Sequence, residues 1–220
     1  MRYKEIPTTE RPEWLLWRHA GIGSSDAAVI MGVSRFKTRN QLLIEKVYDF
    51  KGEDGGNEFI KNKGNKIEGH VRDFIESQDC VKYPPVAFES ESFPFMRASL
   101  DGYDRETKTI IEIKLLSVQN PDKVNKETEG YKKWINLINN EIPKEYYPQL
   151  QHQLMVTGAN RCLFEGYKEI KGEYFINRDK LIRVEVLPDV EYIKKLAEEE
   201  FKFWFEVEQM RTSIYKGELE

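Results

Sequence analysis

A chain of 220 residues, 40% hydrophobic and 33% charged, is long enough for one substantial core, and 12% aromatic residues exclude an intrinsically disordered protein. A net charge of −4 and a pI of about 5.7 exclude a uniformly basic nucleic-acid coat, so any DNA-binding face has to be a local basic patch on an acidic body. Cys80 and Cys162, far apart and outside any CxxC, exclude a zinc site, an iron–sulfur cluster or a disulfide framework built from cysteine alone.

The opening MRYKEIPTTERPEW lacks the apolar core of a secretory signal, and no run reaches the ~18 apolar residues of a membrane helix. A soluble cytoplasmic protein is expected. A short helix is predicted over 12–20, opened by Pro12 in its first turn. Gly21 and Gly23 break it, and Ser24, Ser25 and Asp26 then offer N-caps for a second helix reaching Met31. Leu42, Leu43, Lys46 and Val47 stand at helical spacing in a third helix over 38–50, and GEDGG at 52–56 reads as a loop. A long helix over 57–77 carries the stripe Ile60, Gly64, Ile67, Val71, Phe74 and Ile75. Strands follow at 86–93, 95–103 and 109–116, with DRETK at 104–108 turning between the last two. After a polar loop at 119–130 come helices over 131–139 and 146–156, strands at 161–168 and 180–187, and a final amphipathic helix over 189–211. Helices flanking a central mixed sheet make the expected fold α/β or α+β, in a single domain over 1–220.

The chemistry is concentrated in ASLDGYDRETKTIIEIKLL. In a strand alternate residues share a face, so Ile111, Ile113 and Leu115 point one way and Ile110, Glu112 and Lys114 the other. An acid and a base inside an apolar strand are costly unless paired or bound to a metal. Asp101 closes the preceding strand, and a hairpin would set it beside Glu112. Two carboxylates meeting there repel unless a cation lies between them, and Mg²⁺ takes such oxygen ligands. A lysine alongside would steady an attacking water, and the reaction that suits this set is phosphodiester hydrolysis. A solvated, salt-bridged hairpin would explain Glu112 and Lys114 as well, so the triplet alone does not decide. Glu68, at the edge of the apolar stripe of the long helix, is either a third ligand or a surface carboxylate. His70 and His152 read as ordinary polar residues, because magnesium disfavours imidazole.

Asp101, ten residues, then Glu112-Ile113-Lys114 resembles the PD-(D/E)xK nuclease signature, with Leu100 where proline often stands. RHAGIGSSDAAVIMG (18–32), GNKIEGHVRDFIE (64–76), MRASLDG (96–102), IIEIKLL (110–116) and YPQLQHQLMVTG (147–158) follow in the order seen in phage lambda exonuclease and YqaJ-type viral recombinases. The resemblance spans about residues 12–165, leaving strands and a helix over 166–220. It implies a restriction-endonuclease-like sheet flanked by helices, with metals held by Asp101, Glu112, Ile113 and Glu68 and the nucleophile assisted by Lys114. It also implies a pocket for the 5′-phosphate of a DNA end made by Arg18, Ser25, Ser99 and Gln151. Arg suits bidentate phosphate contact and Ser25 sits near a predicted helix N-terminus, although without the resemblance a solvated arginine and a plain N-cap would serve.

The implied activity is a Mg²⁺-dependent 5′-to-3′ exonuclease on linear double-stranded DNA, using two ions, with Mn²⁺ as an alternative. Its 3′ overhangs would be loaded with a single-strand annealing protein for recombination. A homotrimer around DNA, in a phage- or prophage-encoded protein, belongs to the same expectation; Lys123, Lys126, Lys132 and Lys133 are candidate DNA contacts, although a solvated loop is the plainer reading of them. The rivals are a restriction- or repair-type endonuclease with the same centre and a non-catalytic DNA-end-binding scaffold.

Overall fold

A computed structural model describes residues 3–6, 11–48, 58–118, 128–170 and 176–217. The GEDGG loop and most of the polar 119–130 loop, with Lys123 and Lys126, lie outside the described residues, as does the side chain of Ile60. In chain order the elements are β1 (Tyr3–Ile6), α1 (Arg11–His19), α2 (Ser24–Ile30), α3 (Arg39–Val47), α4 (Glu58–Asp79), β2 (Val86–Ser90), β3 (Arg97–Leu100), β4 (Gly102–Asp104), β5 (Thr109–Val118), α5 (Glu129–Ile138), α6 (Tyr147–Thr157), β6 (Arg161–Ile170), β7 (Leu181–Val186) and α7 (Val190–Tyr215). No helix among the described residues is long and apolar enough to cross a membrane.

The local signals explain most of these boundaries. Thr38 and Gln41 open α3 reciprocally, the hydroxyl accepting from Gln41 N at 3.3 Å and the amide oxygen from Thr38 N at 2.9 Å. Asp189 caps α7 by accepting from Tyr192 N at 3.0 Å. Helix α6 has Pro148 in its first turn and ends on Gly158 at φ 62°.

Three differences from the predicted elements matter. The strand expected over 86–93 stops at Ser90, because Pro94 sits in a turn closed by Met96 N donating to Phe93 O at 2.8 Å. The strand expected over 95–103 is divided at Asp101 into β3 and β4, which belong to different sheets. Strand β1, half-exposed and four residues long, carries too short a pattern to be predicted.

The mixed sheet is accordingly built in two parts, β1-β2-β3 and β4-β5-β6-β7. All neighbours are antiparallel except β5 and β6, whose parallel register pairs Glu112 with Phe164 and Ile113 with Glu165. A parallel pair needs a crossover, and α5 and α6 supply it. Alternation along β5 then fixes the layers. Ile111 and Ile113 join Val71 and Ile75 of α4 on one face, while Ile110 and Leu116 join Trp134, Leu137, Leu150 and Leu154 of α5 and α6 on the other. A third cluster packs α2 and α3 against α7 through Val29, Leu42, Phe203 and Val207. These layers form one mixed α/β domain with helices on both sides of the sheet.

Candidate active site

Asp101 lies at the break between the two sheets, and the break is what aims it. Gly102 pairs with Ile111 in the β4–β5 ladder, so Asp101 comes level with Glu112. A Cβ on Gly102 would lie 2.7 Å from Tyr83 O and 2.7 Å from Ile111 Cγ1, so the close approach of β4 needs a glycine. Asp101 Oδ2 accepts from Ile113 N at 2.7 Å, and its main-chain oxygen accepts from Arg72 Nη1 at 3.0 Å. Ile113, expected among the metal ligands, thus enters the site through its N–H, with its side chain packed towards α4.

Glu112 is 1% exposed. Its Oε1 accepts from Lys114 Nζ and from Gln149 Nε2, and its Oε2 accepts from Gln153 Nε2 at 2.6 Å. Burial pushes the Asp101 carboxyl well above the usual range, with the Glu112 and Glu68 charges adding to it and Lys114 opposing. For Lys114, burial favours the neutral amine, but Glu112 and Asp101 outweigh it and hold the pKa above the ordinary value. Glu68 is half-buried, with Arg72 Nη1 at 3.7 Å. Its carboxyl is raised by burial and by Glu112, against the pull of Arg72 and Lys114. The charges of Asp101, Glu112 and Glu68 therefore act on one another.

No three His, Cys, Asp or Glu side chains stand together at metal-ligating spacing among the described residues. The donor chemistry nevertheless fits a hard divalent cation. Asp101 and Glu112 stand level on neighbouring strands with the Glu68 charge felt by both, burial raises the Asp101 and Glu68 carboxyls, and a cation at the Asp101–Glu112 pair would relieve that cost.

The second half of the site comes from the α1–α2 junction. Ile22 N donates to Phe95 O at 2.6 Å and Arg97 N donates to Ile22 O at 2.9 Å, which ties the junction to the start of β3. Gly21 allows this contact, since its Cβ would lie 2.6 Å from Phe95 O. Arg18 and Ser25 are thereby brought together, with Arg18 Nη2 donating to Ser25 Oγ at 2.7 Å and the guanidinium 5.3 Å from the Trp14 ring centroid. Behind them Asp26 and Lys46 form a buried pair at 2.9 Å. Burial raises the Asp26 carboxyl, but Lys46, Arg18 and Gly23 N together hold it below the ordinary value.

A cavity of about 250 Å³ joins the two halves. Arg18, Ser24, Ser25 and Ser99 line it together with Asp101, Glu112 and Lys114, and Trp14, Trp17, Gly23, Arg97 and Gln149 complete the wall. The Ser24 hydroxyl is buried and has no hydrogen-bond partner, leaving a donor for an anion in that wall.

Gln151 is not in this cavity. Its side chain is fully buried on the far side of α6, donating to Leu187 O at 3.0 Å and accepting from Asp189 N at 2.9 Å. The residue two places earlier, Gln149, faces the cavity instead. Helical geometry gives the reason: two residues rotate the side chain by ~200°, whereas four return it to the same face, so Gln149 and Gln153 both reach Glu112. The i, i+4 spacing of two glutamines opposite an acidic strand was the available signal. His152 is fully buried between Glu200 Oε1 at 2.7 Å and Arg97 O at 2.9 Å, away from any metal role. Lys132 pairs with exposed Glu129, and Lys133 with Glu145 at 2.9 Å.

Residues 13–160 match a family model described as the YqaJ-like viral recombinase domain. The YqaJ protein of Bacillus subtilis (strain 168) is 29% identical over 196 residues, which cover 88% of this chain. The chain spans 55% of that relative's length. An alkaline exonuclease from Laribacter hongkongensis superposes with a TM-score of 0.70 at 20% identity, covering 93% of this chain and 96% of its own. The same exonuclease has also been solved in complex with dAMP. A phage-related exonuclease from Haemophilus somnus 129PT gives a TM-score of 0.58 at 14% identity, covering 88% of this chain and 96% of that one. At these identities the solved structures establish the fold.

Proposed function

The chain belongs to the YqaJ-like viral recombinase domain family, and from that premise we propose that it is a divalent-metal-dependent 5′-to-3′ exonuclease acting on linear double-stranded DNA. The observation that carries this reading is the single cavity lined by both the Arg18–Ser25 pair and the Asp101–Glu112–Lys114 group. Arg18, Ser25, Ser99 and the unpartnered Ser24 hydroxyl hold the terminal phosphate; charged guanidinium donors and serine hydroxyls suit its oxygens. Gln149 takes the place given to Gln151. Asp101, Glu112 and Glu68 hold the cation, which supplies Lewis-acid polarisation of the scissile phosphate and a lowered water pKa. Lys114 stays protonated, orients the attacking water and offsets charge developing on phosphorus.

The likeness to an alkaline exonuclease and to a phage-related exonuclease supports end-dependent cutting over an endonuclease. The rest of the proposal follows the family: 3′ overhangs handed to a single-strand annealing protein, a homotrimer, two Mg²⁺ ions replaceable by Mn²⁺, and a phage- or prophage-encoded protein of the bacterial cytoplasm.

The test is linear duplex DNA labelled at each 3′ end, with and without 5′-phosphates, beside a covalently closed circle and an EDTA control. Phosphate-stimulated loss of the 5′-ended strands, with the circle spared, is expected. A Lys114→Ala protein should bind ends without degrading them. Nicked circles would replace this reading with an endonuclease, and DNA that is bound but uncut by the wild-type protein would replace it with a scaffold.

A further inference from the structure

Two glutamines reach the Glu112 carboxylate from α6, and they differ in what else they touch. Gln149 is half-buried, lines the cavity and shares Oε1 with Lys114. Gln153 is 0% exposed, stands behind the carboxylate away from the cavity and holds Oε2 at 2.6 Å. The other end of the Gln153 amide, Oε1, is buried with no hydrogen-bond partner. An unsatisfied buried amide oxygen is a cost that methionine or leucine at this position would avoid, so packing alone does not account for the residue. Its orientation is fixed as well: turned over, the amide oxygen would face Glu112 Oε2, acceptor against acceptor.

The helix beneath it is pinned from behind. His152 bridges Glu200 and Arg97 O, and Gln151 bridges Leu187 O and Asp189 N. Gln153 therefore projects from a platform held to α7, to the β7–α7 turn and to β3.

We propose that Gln153 is a positioning residue that fixes the Glu112 carboxylate by its inner oxygen, Oε2, so that Glu112 offers a divalent cation its outer oxygen alone. This rests on the reading that the Asp101–Glu112 centre takes such a cation. Oε1 is the oxygen that Lys114 and Gln149 share on the cavity side, and both donors can release it without leaving the cavity wall. The two amides then divide the work: Gln153 sets the metal ligand and Gln149 serves the substrate side.

The experiment uses the full chain with Gln153→Met, which keeps the volume and removes the donor, and Gln153→Asn, which keeps the amide but withdraws it by one methylene. Mg²⁺ binding is read by titration calorimetry without DNA, and KM for 5′-phosphorylated ends is read at saturating Mg²⁺. Loss of a group orienting a metal ligand weakens metal binding by roughly 10- to 100-fold, and both variants should show this with KM for DNA within about twofold of wild type. Should the methionine variant fail to fold by circular dichroism, the asparagine variant decides. Unchanged Mg²⁺ affinity in a folded variant, or a loss confined to KM for DNA, overturns the role of Gln153 and leaves the nuclease reading standing. Wild-type protein that takes up no Mg²⁺ sinks the metal centre, and this role with it.

Discussion

Arg18 stands half-buried at the cavity wall, tied to a serine hydroxyl and set over the face of Trp14, an arrangement that holds the guanidinium in place. A hydrogen bond to a charged group contributes roughly 1.5–3 kcal/mol, so Arg18→Ala should slow degradation of 5′-phosphorylated ends by roughly 10- to 100-fold. Ends carrying a 5′-hydroxyl should be slowed far less, and initial rates on the paired substrates measure the difference. Glu165 makes a different prediction, about stability. It is 0% exposed on the α4 face of β6 and is bonded to Arg183, which also grips Asp79 at the end of α4 at 2.7 and 3.0 Å. Burial pushes its pKa up to about 7, ahead of the lowering by Arg183. The folded protein therefore keeps a proton that the unfolded chain releases near 4.5, and stability declines as pH rises between those values, then levels off. Glu165→Gln mimics the protonated form. Its melting temperature should match wild type near pH 5 and exceed it at pH 8, by an amount corresponding to roughly 3 kcal/mol. Equal melting temperatures at both pH values would show that Arg183 fully compensates the buried charge.

At the scale of elements, the division of one predicted strand at Asp101 sets up the site. Gly102→Ala forces a Cβ against Tyr83 O and Ile111, both backed by packed neighbours. A loss of about 1–3 kcal/mol in denaturant unfolding is expected, together with a larger proportional loss of turnover as Asp101 moves off its bond to Ile113 N. How far such features can be read in advance depends on where the determining contact lies. The alternation of Ile111, Glu112, Ile113 and Lys114 is local to β5, and it gave the layers, the acidic strand face and the relation to Asp101. Glu68 stood out because a carboxylate interrupts the edge of an apolar stripe, and α4 does set its charge within reach of Glu112. The sheet break was not, because it is dictated by the approach of Tyr83, about twenty residues away in the chain. Gln149 and Gln151 lie in one polar-looking run, YPQLQHQ, and only the packing of α6 against β5 and the start of α7 says which faces the cavity. The partners of His152, Glu200 and Arg97 O, were equally out of reach of any local pattern.

For the whole molecule, a net charge of −4 leaves the proposed attraction to DNA to local cations set against an unfavourable mean field. The rate on DNA ends should fall steeply as salt rises from 50 to 200 mM, and sedimentation should give about three times the 26.0 kDa of one chain. A monomer at assay concentrations would remove the ring from the proposal without touching the cavity. One further consequence lies in how the cavity is assembled along the chain. Asp101, Glu112, Lys114 and Gln149 reach the wall from residues 101–149, whereas Arg18, Ser24 and Ser25 arrive from the first thirty residues and are grafted onto β3 through Ile22. On the proposed function, the Arg18–Ser25 pair that would receive a DNA end and the Asp101–Glu112–Lys114 group that would cleave it stand on separate lengths of polypeptide. Change in the early segment would then alter which termini are accepted while Asp101, Glu112 and Lys114 stay as they are, making end preference the more readily evolved of the two proposed properties.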